Sequence, residues 1–314
     1  MPGTFILSLD CEGKWGMADH LDRVHDESLT TARLSQAYEA LAGIFSRFDI
    51  KATFAFVMAF LLAEDEREPF RDLLLGNPDE PDGWLQRYRD ARSSGSLEGW
   101  HFPEALDIAR SAPGAEIACH GFCHRPLADA LISREGARAD LAAARRVAEI
   151  KGVSLRTLIF PRNLVGHLDE VRQAQFIGFR TALPSAGGMA GRGLRIAEEF
   201  NIWRFPQQSR PIDRHGLVPI PAGYFFNWRH GMRRWVPSEI TQMRWRNLLR
   251  RGANGGVVHL WLHPHNLITA PGTAASLERI LAEVAEMRSR GLLRILTQEE
   301  YCREQLASAE SAAA

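Results

Sequence analysis

Short apolar segments with strand character alternate with amphipathic helical segments along most of this 314-residue chain. The first strand is predicted at residues 4–10, and a helix follows at 30–48, where apolar residues recur at helical spacing. Such alternation places the strands in a parallel sheet covered by helices, and the number of repeats favours an irregular (β/α)7-type α/β barrel. Further strands are predicted at 52–58, 115–120, 156–161, 179–182, 256–263 and 293–297, and further helices at 134–150, 167–175 and 274–290.

The pattern predicts one barrel domain over residues 1–306. Two intervals, at about 60–114 and 184–235, exceed ordinary loop length and are rich in proline. In a compact α/β fold, long insertions of this kind form lids or the walls of binding sites. The alanine-rich end, 307–314, is predicted to be a disordered tail.

Composition excludes several classes of protein. Hydrophobic residues make up 45% of the chain and charged residues 24%, as in an ordinary globular protein, and the net charge of +0 argues against nucleic-acid binding. We find no apolar run long enough for a transmembrane segment and no signal peptide, so a cytoplasmic location is expected. The four cysteines show no Cys-x-x-Cys pairing and are expected to be reduced, buried residues.

Two acidic residues lie at the carboxyl end of the first predicted strand. Because side chains alternate along a strand, Asp10 and Glu12 share a face and lie at its carboxyl end, where α/β barrels carry their active sites. A pair of acids after an apolar strand is costly unless it meets a cation. A metal ion and an arginine side chain satisfy this requirement equally well.

Histidines follow two other strands. His120 and His124 are four residues apart, so a helical turn there would place both imidazoles on one side, a spacing that suits a divalent metal. His263 ends the strand at 256–263 and is predicted to be a catalytic acid. On the same strand, His259 is expected to be a core histidine with satisfied hydrogen bonds.

Arginines supply two further candidates. Arg162 follows another strand and is predicted as a third catalytic residue, which would hold a carboxylate by a two-pronged hydrogen bond; the alternative is an ordinary salt bridge at the rim. Residues 201–250 contain nine arginines but only two acids, interleaved with tryptophans. This stretch either faces an anionic ligand or forms a solvated surface.

Taken in order, these motifs resemble those of the polysaccharide deacetylase (NodB-homology) superfamily, related to carbohydrate esterase family four. The resemblance runs from residue 5 to about 297 and includes the segment 48–56, which is similar to the second-strand signature of the family. Asp10 and Glu12, which are separated by one residue, are similar to the first motif of one branch of the family. The segment 120–124 is similar to the histidine motif, and the segment 260–263 is similar to the last motif. The segment 160–163 matches its motif only loosely, and the aspartate that orients the catalytic histidine has no clear counterpart.

The resemblance implies roles for the candidate residues. Asp10 would be the catalytic base and His263 the catalytic acid, while Glu12, His120 and His124 would bind a divalent metal, expected to be zinc. The implied reaction is removal of an N-acyl group, such as acetyl, from an amino sugar.

The expected substrate of a cytoplasmic enzyme of this kind is a nucleotide- or lipid-phosphate-linked sugar, used in surface-polysaccharide (O-antigen-like) biosynthesis. Two alternatives stay open at this point. The same metal site could hydrolyse a cyclic amide or ureide, or the barrel could be an inactive homologue that binds glycans. The sequence does not determine the oligomeric state.

Overall fold

All strands run parallel in a computed structural model, which describes residues 1–76, 83–183, 200–226, 231–270 and 272–313. The strands within these ranges are β1 (Gly3–Cys11), β2 (Thr53–Phe56), β3 (Glu116–Cys119), β4 (Thr157–Ile159), β5 (Gly178–Arg180), β6 (Val218–Ile220), β7 (Tyr224–Phe225), β8 (Val257–Leu262) and β9 (Leu293–Leu296).

These nine described strands form one curled sheet around β1. Their order is β6-β5-β4-β3-β2-β1-β8-β7, and β9 pairs with the beginning of β1. The register pairs Asp10 with Ala55 on β2 and Leu7 with Leu260 on β8. The predicted parallel α/β barrel is therefore confirmed. In the described part of the chain no ladder joins β6 to β7, and the short turn 221–223 connects them.

Helices cover the outer face of the sheet. None of those described combines the length and apolarity needed to cross a membrane. They are α1 (Arg23–Ser28), α2 (Thr31–Phe48), α3 (Arg71–Leu75), α4 (Gln86–Ser93), α5 (Ala105–Arg110), α6 (Arg134–Ile150), α7 (Leu168–Gln173), α8 (Ser238–Gly252), α9 (Asn266–Thr269), α10 (Thr273–Ser289) and α11 (Gln298–Ala313).

Each predicted strand and helix is present, with ends that agree within two residues, and α6 has the predicted bounds. The interval 184–235, predicted as a long insertion, contains β6 and β7; its residues 184–199 and 227–230 lie outside the described ranges. The helix α8 was not predicted. It packs its Arg244 and Trp245 side chains against the barrel, both almost fully buried, so part of the arginine-rich stretch belongs to the core.

The predicted disordered tail takes a different form. Residues 307–313 continue the helix α11, which begins at Gln298 and ends at Ala313. Alanine has the highest intrinsic helix propensity, so an alanine-rich end that follows a packed helical turn extends the helix. The side chain of Tyr301 near its start is buried against Ile6 and Val218, which anchors the helix to the barrel.

The interior of the barrel changes from apolar to polar along β1. Ile6 lies in an apolar cluster with Val218 and Leu296 at the amino end of the strands. Ser8 and Asp10 are the next side chains on that face, and both are buried. The alternate residues of β1 face outward into the main core beneath the helices. Beyond Ile6, the inward-facing side chains of β1 are therefore polar toward the carboxyl end of the barrel.

At the amino end of the barrel, the buried carboxylate of Glu116 accepts hydrogen bonds from several elements. Its oxygens accept hydrogen bonds from the Thr53 hydroxyl at 2.7 Å, from the Thr157 hydroxyl and from the backbone N–H of Glu299 at 2.9 Å. Gln298 also donates its N–H to the Thr53 hydroxyl. Burial raises the pKa of the Glu116 carboxyl above its usual value, an effect that these donors partly offset. The first turn of α11 is thereby joined to β2, β3 and β4.

We predict that Glu116→Ala lowers the free energy of unfolding by about 3 kcal/mol, because it leaves several buried donors without an acceptor. Glu116→Gln keeps an acceptor without the buried charge and should stay within about 1 kcal/mol of the parent. Urea denaturation at pH 7 measures both. Equal stability of Glu116→Ala and the parent protein would refute this account of how α11 is held.

Candidate active site

Asp10 projects into the barrel and forms a buried ion pair with Arg180 on β5. The two arginine nitrogens Nη1 and Nη2 donate to Oδ1 and Oδ2 at 2.8 and 2.7 Å, a two-pronged arrangement. Burial acts to raise the pKa of the Asp10 carboxyl, but the Arg180 charge, with the nearby imidazoles, outweighs it and the pKa is lowered. Asp10 is therefore ionised at neutral pH, deep in the protein.

Further contacts fix the guanidinium of Arg180. Its Nη2 also donates to Asn163 Oδ1 at 2.8 Å, and its Nη1 donates to the Ser8 hydroxyl at 3.3 Å. The ring of Trp261 lies against it, 4.5 Å from the guanidinium carbon to the ring centroid. The ion pair therefore has little freedom to rotate, and Asp10 keeps one orientation.

His259 supports this network as a core histidine, as predicted. Its Nδ1 lies 2.7 Å from the carbonyl oxygen of Pro221 and its Nε2 lies 2.8 Å from the Ser8 hydroxyl. Burial lowers the pKa of His259 to about 3, so the ring is neutral. With Nδ1 donating to the carbonyl, Nε2 accepts from Ser8, and the hydroxyl oxygen is left to accept from Arg180.

Arg162 does not hold Asp10. Arg180 makes the contact with Asp10 that was predicted for Arg162. Arg162 Nη2 donates to Asp19 Oδ1 at 2.5 Å, and the guanidinium lies over the ring of Trp84. Both Arg162 and the next residue, Asn163, have left-handed backbone conformations, with φ of 58° and 56°. This turn brings Asn163 to Arg180 and leaves Arg162 at the rim, in the salt bridge that was the alternative expectation.

Glu12 lies at the carboxyl end of β1 among three imidazoles. Its Oε2 is 3.4 Å from His120 Nε2 and 3.0 Å from His124 Nε2, and its Oε1 is 3.4 Å from His263 Nε2. The Glu12, His120 and His124 side chains are all buried, and their donor atoms lie within 4.8 Å of one another. The structure therefore brings together three residues that the sequence predicts as metal ligands.

The loop that carries His120 and His124 is not the helical turn expected from their spacing. Gly121 and His124 have left-handed backbone conformations, with φ of 77° and 61°, and the segment is irregular. The imidazoles converge because the chain turns sharply: their centroids are 4.7 Å apart and their planes meet at 66°. His120 Nδ1 lies 2.8 Å from the Ile159 carbonyl oxygen, so a proton there leaves the Nε2 lone pair facing Glu12.

Asp140 on α6 holds this loop from behind. Its Oδ1 accepts a hydrogen bond from the Phe122 N–H at 2.9 Å, and its Oδ2 lies 3.9 Å from Cys123 Sγ. Burial raises the pKa of Asp140 to about 6. No motif in the sequence distinguishes this aspartate from the other charged residues of α6. Its role depends on the packing of the helix against the loop.

The protonation states suit a cation at this cluster. Burial acts to raise the pKa of the Glu12 carboxyl, but the neighbouring His263 and His124 side chains outweigh it, and the pKa is lowered well below its usual value. Burial lowers the pKa of His124 to about 4. A carboxylate and neutral imidazoles are the donor set that zinc and similar divalent ions take in proteins. Glu12, His120 and His124 thus fit a divalent metal by chemistry and by position.

Aromatic rings form two walls of the site. The Trp84 ring lies 6.0 Å from that of His124, and the Phe225 ring lies 5.6 Å from that of His263. Guanidinium groups lie over the outer faces of this pair of rings, Arg162 on Trp84 and Arg233 on Phe225. Of the tryptophans in the 201–250 stretch, Trp245 is buried in the core and Trp228 lies outside the described residues.

The remaining sequence candidates are distributed as follows. All four cysteines are free and buried, as expected, and none belongs to a candidate metal cluster in the described part of the chain. Next to His263 the structure places Asn266, whose Oδ1 accepts from the His263 N–H at 3.0 Å and lies 3.4 Å from Nδ1.

Neither a protein-family profile nor a curated protein sequence matches the chain. Solved structures do share its fold. A candidate polysaccharide deacetylase from Mycobacterium smegmatis is 17% identical with a TM-score of 0.62, over 98% of this chain and 92% of that one. A glycoside hydrolase family 57 branching enzyme from Thermococcus kodakaraensis is 11% identical with a TM-score of 0.55, over 97% and 71% of the two chains. The alpha-amylase AmyC from Thermotoga maritima is 13% identical with a TM-score of 0.52, over 96% and 74%.

The barrel is therefore the polysaccharide deacetylase fold that the sequence motifs predicted. The same architecture also occurs in an alpha-amylase and in a branching enzyme. At these identities the comparisons establish the fold, and the chemistry has to be argued from the site itself.

We predict that Arg180→Met lowers the free energy of unfolding by about 3–5 kcal/mol at pH 7, because Asp10 is left charged and unpaired. The double variant Asp10→Asn with Arg180→Met should lose less than the sum of the single changes, with a coupling of about 2 kcal/mol. Urea denaturation of the four proteins measures this coupling. Strictly additive losses would contradict the described ion pair.

The same pair predicts a dependence on pH. The pKa of Asp10 is lowered in the folded state. The pair therefore stabilises the fold at pH values above the pKa of an aspartate in the unfolded chain, which is about 3.9. This contribution is lost as the pH falls below that value. The double variant should therefore lose less stability between pH 5 and pH 3 than the parent protein.

Proposed function

We propose that this protein is a metal-dependent hydrolase that removes an N-acyl group, such as acetyl, from an amino sugar. The observation that carries the proposal is the pairing of two buried carboxylates with different partners: Glu12 faces three imidazoles, while Asp10 is held ionised by Arg180. One carboxylate is equipped to bind a cation and its neighbour to accept a proton.

Glu12, His120 and His124 would hold the divalent ion, with zinc as the expected metal. When bound, such an ion polarises a substrate carbonyl and lowers the pKa of a water molecule toward 7. The burial of the three ligands and the contact of His120 Nδ1 with the Ile159 carbonyl favour this assignment, because they orient the Nε2 lone pair before an ion arrives.

Asp10 would act as the general base. Each of its oxygens accepts one hydrogen bond from Arg180 and retains a further lone pair, so the carboxylate can take a proton from the attacking water. Arg180 would hold Asp10 in place during the reaction. Arg162, predicted as a third catalytic residue, is placed instead against the ring of Trp84, where it could orient a substrate.

His263 would donate a proton to the leaving amine. Its side chain is partly exposed, with 20% of its surface accessible, and its Nε2 faces Glu12 at the same rim. Asn266 Oδ1 accepts the backbone N–H of His263 and lies near its Nδ1. It takes the place of the orienting aspartate, for which the sequence has no clear counterpart. An amide oxygen there can accept the Nδ1 proton and fix the ring.

The site argues against cleavage of glycosidic bonds, although an alpha-amylase and a branching enzyme share the fold. Those reactions use a pair of carboxyl groups, one of which is protonated to act as the acid. Despite burial, the Arg180 charge lowers the pKa of Asp10 and the neighbouring histidines lower the pKa of Glu12, so both carboxyls are ionised before the reaction begins. Neither carboxyl is available as a protonated acid, so cleavage of an amide is the better assignment.

The aromatic walls support a sugar as the substrate. Trp84 and Phe225 flank the histidines, and aromatic faces stack against sugar rings. The guanidinium groups of Arg162 and Arg233 over these rings favour an anionic group on the substrate, since arginine pairs with phosphate. A nucleotide- or lipid-phosphate-linked N-acetyl sugar, used in the cytoplasm for surface-polysaccharide synthesis, fits both features.

Acetate and formate release from a substrate panel tests the proposal. The panel contains N-acyl amino sugars that are free, nucleotide-linked and lipid-linked, together with cyclic imides and ureides. We expect release from the sugars, strongest with a phosphate-linked one. Turnover of the cyclic compounds alone, or sugar binding without acyl release by metal-loaded protein, would contradict it.

Asp10→Asn should reduce turnover by about 10²–10⁴-fold while the metal stays bound, because it removes the base and leaves the ligands in place. Steady-state rates and elemental analysis on the same sample measure the two effects. Glu116→Gln, which alters a buried carboxyl at the opposite end of the barrel, is the matched control and should keep near-parental turnover. A near-parental rate for Asp10→Asn would refute its role as the base.

His120→Ala and His124→Ala should each weaken zinc binding by at least about 100-fold, since each removes one of three ligands. Competition with a chromophoric chelator measures the affinity without reference to turnover. His215→Ala, which alters a histidine bound to Asp169 outside the site, should leave the affinity unchanged. Unaltered zinc affinity in His120→Ala would overturn the ligand assignment.

A further inference from the structure

We propose that Glu12, His263 and His265 form a second cation site, which shares the Glu12 carboxylate with the first. The site would take a transition-metal ion such as zinc or cobalt, and its occupation would inhibit the enzyme. This inference rests on the proposed function, because it assumes that the first ion is held by Glu12, His120 and His124.

The two oxygens of Glu12 lie near different histidines. Oε2 is 3.0 and 3.4 Å from the Nε2 atoms of His124 and His120, whereas Oε1 is 3.4 Å from His263 Nε2. A carboxylate placed in this way can contribute one oxygen to each of two neighbouring ions. Sites with two metals about 3.5–4 Å apart are common in hydrolases.

The second histidine pair has the spacing of the first. The ring centroids of His263 and His265 are 4.8 Å apart, compared with 4.7 Å for His120 and His124. Donor atoms of Glu12, His263 and His265 all lie within 4.8 Å of one another. Imidazole nitrogens that share a zinc ion at about 2.1 Å lie no more than about 4.2 Å apart. The side chains of the second pair would therefore move inward, and their rings, whose planes meet at 21°, would rotate until both nitrogens face the ion.

His265 has the chemistry of a ligand and no part in the proposed reaction. The side chain is buried, 5% exposed, beside the carboxylates of β1. Its ring is an imidazole, the side chain that most commonly binds metal ions in proteins. Its backbone carbonyl accepts from the N–H groups of Ile268 and Thr269, which fixes the start of α9.

An ion in the second site would change the reaction through His263. Coordination would occupy its Nε2 lone pair, and the imidazole could then no longer carry the proton that the leaving amine needs. One equivalent of metal should therefore activate the enzyme, and a second equivalent should inhibit it. His263 and His265 together would make the enzyme sensitive to excess metal.

Calorimetric titration of metal-free protein with zinc chloride tests the inference, with bound zinc measured by elemental analysis. We expect two ions per chain in the parent protein and one in His265→Ala. His120→Ala should lose the tighter ion and keep the weaker one. The surface control His215→Ala should bind two. One ion in both the parent protein and His265→Ala would overturn the second site.

If His265→Ala is unstable, zinc binding and zinc inhibition are measured on a second variant. His265→Gln retains a polar side chain and should also bind one ion, and excess zinc should inhibit the parent protein at least 10-fold more strongly than this variant. Failure of the further inference is distinguishable from failure of the proposed function. A single ion that depends on His120 but not on His265 leaves the proposed function intact, whereas a single ion that depends on His265 alone refutes the primary ligand assignment.

Discussion

The burial of two carboxylates at the end of one strand is the constraint on which the rest of the site depends. Charged groups in a protein interior must be paired, and the barrel pairs Asp10 and Glu12 in different ways. Arg180 neutralises Asp10 permanently, while Glu12 faces polar rings that can share a cation with it. The same strand therefore presents one carboxylate held by an arginine beside another that faces imidazoles, and the proposed function assigns the first as the base and the second as a metal ligand.

Much of this arrangement could be predicted because it follows from short-range patterns. The alternation of side chains along β1 placed Asp10 and Glu12 on one face, and the repeated strands and helices placed His120, His124 and His263 at the same end of the barrel. These rules depend only on local periodicity and on the way parallel strands align. The fold and the metal-binding candidates follow from them, and the roles of the individual residues remain proposals.

What could not be predicted depends on contacts between distant segments. Arg180 lies 170 residues from Asp10, and only the register of β4 and β5 brings it inward, although an arginine in a buried strand is itself a signal of a buried acid. Because of the left-handed turn at Arg162 and Asn163, it is Asn163 and not Arg162 that contacts the ion pair. The spacing of His120 and His124 suggested a helix, but sharp turns at Gly121 and His124 produce the convergence.

The central claim, that Glu12, His120 and His124 surround a metal beside a fixed Asp10–Arg180 pair, is tested most directly by anomalous diffraction from crystals grown with zinc. The account predicts a strong anomalous peak about 2.0–2.3 Å from a Glu12 oxygen and from one nitrogen of each imidazole. It also predicts that Asp10 remains in its two-pronged contact with Arg180. A peak elsewhere in the barrel, or an Asp10 that leaves Arg180 to bind the ion, would contradict it.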